Sequence, residues 1–174
     1  MASLTISAQN SSRAHLLTAA FLALAMAATV GTALGFQHIG GYIPCKLCYE
    51  QRIPYYIGAP LMAVTFLAAL FRMPAPVVRL LLLAGALLMA WSLYLGIHHA
   101  GIEWGFWAGP TDCAVVVPPA SGGSGGVLDQ IDQVHPPSCD KAALRVAGLS
   151  FAGWNAVASL VLMLVALRGA AKKA

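Results

Sequence analysis

The sequence predicts an all-α membrane protein: a four-transmembrane-helix bundle with two outward-facing loops, the second carrying a short interfacial helix. Three observations predict it. Only 9% of the 174 residues are charged, against about 25% in soluble domains. Residues 14–42, 53–71, 80–102 and 146–167 contain no Asp, Glu, Lys or Arg, and a span needs roughly 17–25 apolar residues. Finally, the charges sort by loop once four spans are drawn. One side holds Arg13, Arg72, Arg79, Arg168, Lys172 and Lys173 and no acid. The other holds Lys46, Arg52, Lys141 and Arg145 with all six acids, Glu50, Glu103, Asp112, Asp129, Asp132 and Asp140.

The helices are expected at about 15–36, 53–71, 80–98 and 149–167, forming a single integral membrane domain over residues 1–174. Four uncharged segments leave no amphipathic face for water, which argues against a soluble bundle. The first apolar run exceeds twenty residues, longer than the about 7–15 of a signal-peptide core, so it reads as a retained span. Gly31 and Gly35 form a GxxxG pair, which permits close helix approach and is expected to serve packing within the chain. The positive-inside rule puts the termini and the 72–79 loop in the cytoplasm, and the loops 37–52 and 99–148 outside. The net charge of +4 is spread over both sides rather than gathered into a nucleic-acid-binding patch.

Cys45 and Cys48 lie in the first outer loop, and Cys113 and Cys139 in the second. An even number on an oxidising face favours disulfides. Four cysteines allow three pairings, of which Cys45–Cys48 with Cys113–Cys139 is the simplest. The two loops differ in kind. In the first, Pro44 precedes a Cys-x-x-Cys, and Arg52 follows Cys48 by four positions, one helical turn away. A helix N-terminus and a guanidinium both favour a thiolate, the reactive form in disulfide exchange. Pro54 is the difficulty for a helix through this region, since it disfavours helix at Ile53. The second loop contains Ser121-Gly122-Gly123-Ser124-Gly125-Gly126, a flexible linker by composition. Val127, Leu128, Ile131 and Val134 follow at helical spacing, suiting a short helix on the membrane surface.

A zinc site is discounted and no metal is expected, because only one cysteine pair has tight spacing. Haem attachment needs histidine where Tyr49 stands. Two readings compete. One is a structural or adaptor membrane protein with two passive extracytoplasmic disulfides. The other is a thiol oxidoreductase with one tight, activated pair and one mobile pair. Such a relay needs a terminal electron acceptor, and without haem, flavin or nucleotide motifs a membrane quinone is the natural candidate.

Pro44-Cys45-Lys46-Leu47-Cys48-Tyr49-Glu50-Gln51-Arg52, between the first two of four spans, resembles the signature of the bacterial DsbB family. Phe36-Gln37-His38, Cys113 and Cys139, Gly148-Leu149-Ser150 and Gly153-Trp154-Asn155 extend the resemblance over nearly the whole chain. The vitamin K epoxide reductase-like family shares the topology, but there the quinone-facing Cys-x-x-Cys sits at the last span. The resemblance implies a quinone-dependent thiol oxidase of the bacterial inner membrane. A DsbA-like periplasmic thioredoxin-fold protein would be its partner, and ubiquinone or menaquinone its cofactor. It further implies that the partner attacks at Cys113, that Cys139 is the mate of Cys113, and that electrons pass through a transient Cys45–Cys139 bond. Cys48 would meet the quinone beside Arg52. A histidine at the end of the third span is implicated too, which points to His99 or His98.

Overall fold

The computed structural model describes residues 2–109 and 139–172, with side chains from residue 12 onward. Among these residues four helices are long and apolar enough to cross a membrane. They are α1 (Ala2–His38), α2 (Lys46–Leu70), α3 (Ala75–Glu103) and α4 (Phe151–Ala171). Each packs on its neighbour in sequence, and α1 closes the ring on α4. Cys45 meets His99 at one end of the bundle, and the Phe36 ring meets Phe151 there too. At the other end the Arg79 guanidinium donates to the Ala170 carbonyl at 2.7 Å. The order is therefore up-down-up-down.

The helices run longer than the charge-free stretches suggest. α2 begins at Lys46 rather than near residue 53, because Cys45 caps it: the Cys45 sulfur accepts from the Cys48 N–H at 3.4 Å. The helix continues through both Pro54 and Pro60. Proline removes one N–H, and within a bundle neighbouring groups tolerate the freed carbonyl. α3 extends to Glu103, so residues 99–103 belong to a helix and not to the second outer loop. The α2–α3 turn reverses over a few residues. The Met73 N–H reaches Ala68 O and the Arg72 N–H reaches Ala69 O, with Arg72 at φ 56°. That is a Schellman ending with arginine in the left-handed position usually given to glycine, at a cost of roughly 1 kcal/mol.

Residues 145–150 form a small hairpin, β1 (Arg145–Val146) and β2 (Leu149–Ser150), that the sequence reading did not anticipate. Ala147 and Gly148 both have positive φ, as a two-residue type I′ turn requires. Ser150 then caps α4, its hydroxyl accepting from the Gly153 N–H at 3.2 Å. The expected interfacial helix at 127–134 and Cys113 lie outside the described residues.

Leu22, Met26, Met62, Leu82 and Met89 fill the core and are fully buried. Leu17, Leu24, Leu80 and Leu87 face outward, as lipid contact demands. Small residues set the helix spacing. A Cβ on Gly96 would lie 3.0 Å from the Ala156 backbone nitrogen, so α3 and α4 touch main chain to main chain. Gly31 and Gly35 behave differently. A Cβ at either would meet nothing within 4 Å, so the expected packing role of this GxxxG within the chain is not found.

Candidate functional site

The N-terminus of α2 brings the first cysteine pair to one end of the bundle. Both residues are free thiols, with their sulfurs 3.1 Å apart, so the Cys45–Cys48 disulfide suggested by the sequence is open. Cys45 is 5% exposed and packs with Leu47, Ile102 and Cys139, and Cys48 lies against the same cluster. Cys139 is buried and disulfide-bonded. The cluster thus joins cysteines from both outer segments.

Cys45 faces α3, where His99 Nε2 stands 3.8 Å from its sulfur. The Cys45 pKa is lowered from the ordinary thiol value to about 4. The hydrogen bond from Cys48 is the largest cause. Burial opposes it, and the hydrogen bond and charge of His99 add to the lowering.

His99 is itself held by a chain of polar groups inside the bundle. Tyr55 OH donates to Asn155 Oδ1 at 2.8 Å. That fixes the Asn155 amide so that its Nδ2 donates to Gln51 Oε1 at 2.7 Å. Gln51 Nε2 then faces His99 Nδ1 at 2.6 Å and donates to it. A neutral His99 must consequently carry its proton on Nε2, toward Cys45. Glu103, one turn on, places Oε1 3.8 Å from the same Nε2. Ser92 and Ser159 close the inner end, their hydroxyls 2.9 Å apart. Gln51, Tyr55, Ser92, Glu103, Asn155 and Ser159 had no assigned roles in the sequence reading. Their visible signal is polarity inside or beside apolar spans, where unpaired groups are costly.

Cys48 faces the other way, into a cavity of about 370 Å³ lined by residues of α1, α2 and α4. The lining is mostly apolar, with Phe36, Tyr42 and Phe151 gathered at ring-centroid distances of 5.0–6.0 Å. Its polar groups include Gln37, Gln51, Arg52 and Asn155. Arg52 is positioned by three partners. Its guanidinium donates to Gln37 Oε1 and to the Ala33 carbonyl, and lies 5.4 Å from the Tyr49 ring centre. The fold therefore brings Arg52 to the Cys48 side and His99 to the Cys45 side. His98 goes elsewhere: it stacks on Trp107 at 5.9 Å, whose indole N–H donates to the His98 carbonyl. Neither histidine is among the described residues lining the cavity.

A four-helix membrane bundle with a close dithiol at the start of one helix, flanked by a histidine and an arginine, defines a membrane thiol–disulfide protein. The chain matches the family described as disulfide bond formation protein DsbB over residues 15–168, and it belongs to that family. It is also 26% identical to uncharacterized protein RP370 of Rickettsia prowazekii (strain Madrid E) over 136 residues, covering 78% of this chain and 76% of that protein. No solved structure matches it. Family membership makes it a multi-pass membrane protein of disulfide-bond formation, with oxidoreductase chemistry.

Proposed function

We propose that this protein is a bacterial inner-membrane thiol oxidase that reoxidises a periplasmic DsbA-like dithiol protein and passes the electrons to membrane quinone. The observation that carries this reading is the two-sided placement of the inner pair. Cys45 shares a buried cluster with Cys139, and Cys48 lines an apolar cavity beside Arg52. A passive staple requires neither arrangement.

The proposed sequence begins at Cys113. The reduced partner's thiolate attacks its sulfur, breaking the Cys113–Cys139 disulfide and leaving Cys139 as thiolate. Cys139 attacks Cys45 of the oxidised inner pair, forming the Cys45–Cys139 bond and releasing Cys48 as thiolate. The partner's second thiol resolves its bond to Cys113 and leaves oxidised. Cys113 then closes on Cys139, which expels Cys45 as thiolate. The net result is one electron pair moved from the partner to Cys45 and Cys48; the partner's second thiol releases one proton, its first having been lost when the attacking thiolate formed.

The cavity suits a flat ring with polar edges: its walls are apolar and aromatic, and Arg52 and Gln37 stand at its polar margin. Ubiquinone or menaquinone bound there would supply a two-electron acceptor. Arg52 would donate hydrogen bonds to a carbonyl oxygen and stabilise developing negative charge. His99 would hold or release a proton at Nε2 as Cys45 changes state, while Gln51 keeps the ring oriented. His98 is proposed only as an interfacial neighbour on the Trp107 side. The outer loops would face the periplasm and the termini the cytoplasm, following the distribution of arginine and lysine.

The test is quinone reduction by the purified protein after addition of a reduced DsbA-like substrate. Turnover is expected only with quinone present, and it should vanish in Cys45→Ser and in Cys48→Ser. Undiminished turnover in either variant would sink the relay.

A further inference from the structure

Sequence spacing alone offers a divalent cation one tight cysteine pair and nothing beside it. The fold supplies what spacing could not. Cys45 Sγ, Cys48 Sγ and a His99 ring nitrogen lie within 4.8 Å of one another. The Cys45–Cys48 separation is 3.1 Å and the Cys45–His99 Nε2 separation is 3.8 Å. A tetrahedral ion with metal–sulfur bonds of about 2.3 Å spaces its ligands about 3.8 Å apart. The histidine is therefore already at ligand spacing, and the sulfurs need to part by well under an ångström.

A carboxylate stands beside His99, at the edge of that trio. The Glu103 side chain is only 6% exposed, with Oε1 3.8 Å from His99 Nε2. Its other oxygen, Oε2, is buried with no hydrogen-bond partner. A buried carboxylate oxygen left in that condition is costly, and coordination is one way to satisfy it. We propose that reduced Cys45 and Cys48, together with His99 and Glu103, form a binding site for one zinc-like divalent cation.

Two thiolates and one carboxylate exceed the charge of a divalent ion by one, and a neutral imidazole adds nothing. Binding requires both sulfurs as thiolates and releases any thiol proton still held. Coordination through His99 Nε2 moves the ring proton to Nδ1, where Gln51 must accept it through its amide oxygen. Gln51 can turn to do so if Asn155 turns with it, because each amide presents a donor on one side and an acceptor on the other. The outer support of a metal-bound histidine is then in place. Both sulfurs become ligands, so the ion holds the pair reduced and blocks disulfide closure. Binding requires only the reduced thiols and stands whether or not quinone is the oxidant.

The experiment uses the full-length protein in detergent, carrying Cys113→Ser and Cys139→Ser so that only the inner pair remains. Cobalt(II) is the probe, read by its sulfur-to-metal charge-transfer absorption and displaced with zinc. One ion per chain is expected in the reduced protein, and none after diamide has closed Cys45–Cys48. His99→Ala and Glu103→Gln should each weaken binding by at least about tenfold, the loss typical of altered metal surroundings. Equal binding by reduced and oxidised protein, absence of the charge-transfer band, or unchanged affinity in His99→Ala would overturn the proposal. Should the double-serine protein fail to accumulate, reduced wild type and Cys45→Ser give the same readout: the band must weaken as one sulfur is lost, and an undiminished band refutes the site.

Discussion

Replacing Asn155 with alanine removes one side chain from α4 and disconnects that helix from the dithiol. Asn155 donates to Gln51 at 2.7 Å and accepts from Tyr55 at 2.8 Å, while its contacts with the Ser92 hydroxyl, at 3.3–3.5 Å, are too long to add much. Side-chain hydrogen bonds between membrane helices average about 0.6 kcal/mol and reach about 1.7. Two lost bonds therefore cost about 1–3 kcal/mol. Tyr55 keeps Ser159 at 3.0 Å, which places the expected loss near the middle, about 2 kcal/mol. Gln51 is buried, so its amide oxygen loses its partner at a cost. Unfolding in mixed micelles with increasing SDS measures this directly for wild type, Asn155→Ala, Gln51→Ala and the double variant. The cycle should return a coupling of about 0.6–1.7 kcal/mol. Alkylation of Cys45 should also slow in Asn155→Ala, although Asn155 touches no sulfur, because Gln51 would no longer fix the His99 proton. A stability loss under about 0.5 kcal/mol, or additivity within about 0.3 kcal/mol, would refute the inference that these groups form one connected chain.

Two further outcomes are expected. Arg52→Ala should weaken quinone use by about 10²-fold or more, as loss of a donor aimed at developing charge does, while single-turnover oxidation of the partner changes little; equal loss in both steps would make Arg52 structural. Because the Cys45 pKa is lowered to about 4, its iodoacetamide reactivity should persist as pH falls through neutrality and drop only toward pH 4. Cys48→Ala should move that midpoint upward, since the Cys48 hydrogen bond is the largest cause of the lowering; a wild-type midpoint near the free-thiol value of about 8.5 would contradict this.

The four helices were legible because lipid solvation leaves a coarse mark, long runs without charge. Their ends were not. Pro54 argues locally for a break, yet α2 passes through it because the bundle tolerates a freed carbonyl. Cys45, Cys48 and Arg52 could be placed by helical spacing alone, since they share one turn of one element. His99 could not, because α3 carries it to Cys45 across a sequence gap of 54 positions, with Glu103 one turn further on beside it. The Ala147-Gly148 turn went unseen because alanine rarely takes positive φ, so the pair gives no turn signal. Asn155 was visible as a residue of a family motif, but its tie to Gln51 comes only from packing α4 on α2 and α3.

That tie has a consequence for how the protein is made. Gln51 and Asn155 are 104 positions apart, so during synthesis the cysteine pair leaves the ribosome well before α4 exists. Until α4 inserts and docks, the Gln51 amide has no fixed direction and the His99 ring has no set proton. A chain interrupted before α4 would keep the Cys48 hydrogen bond to Cys45 but would lack a fixed His99 ring beside it. Docking of the last helix thereby completes the setting of the dithiol rather than creating it.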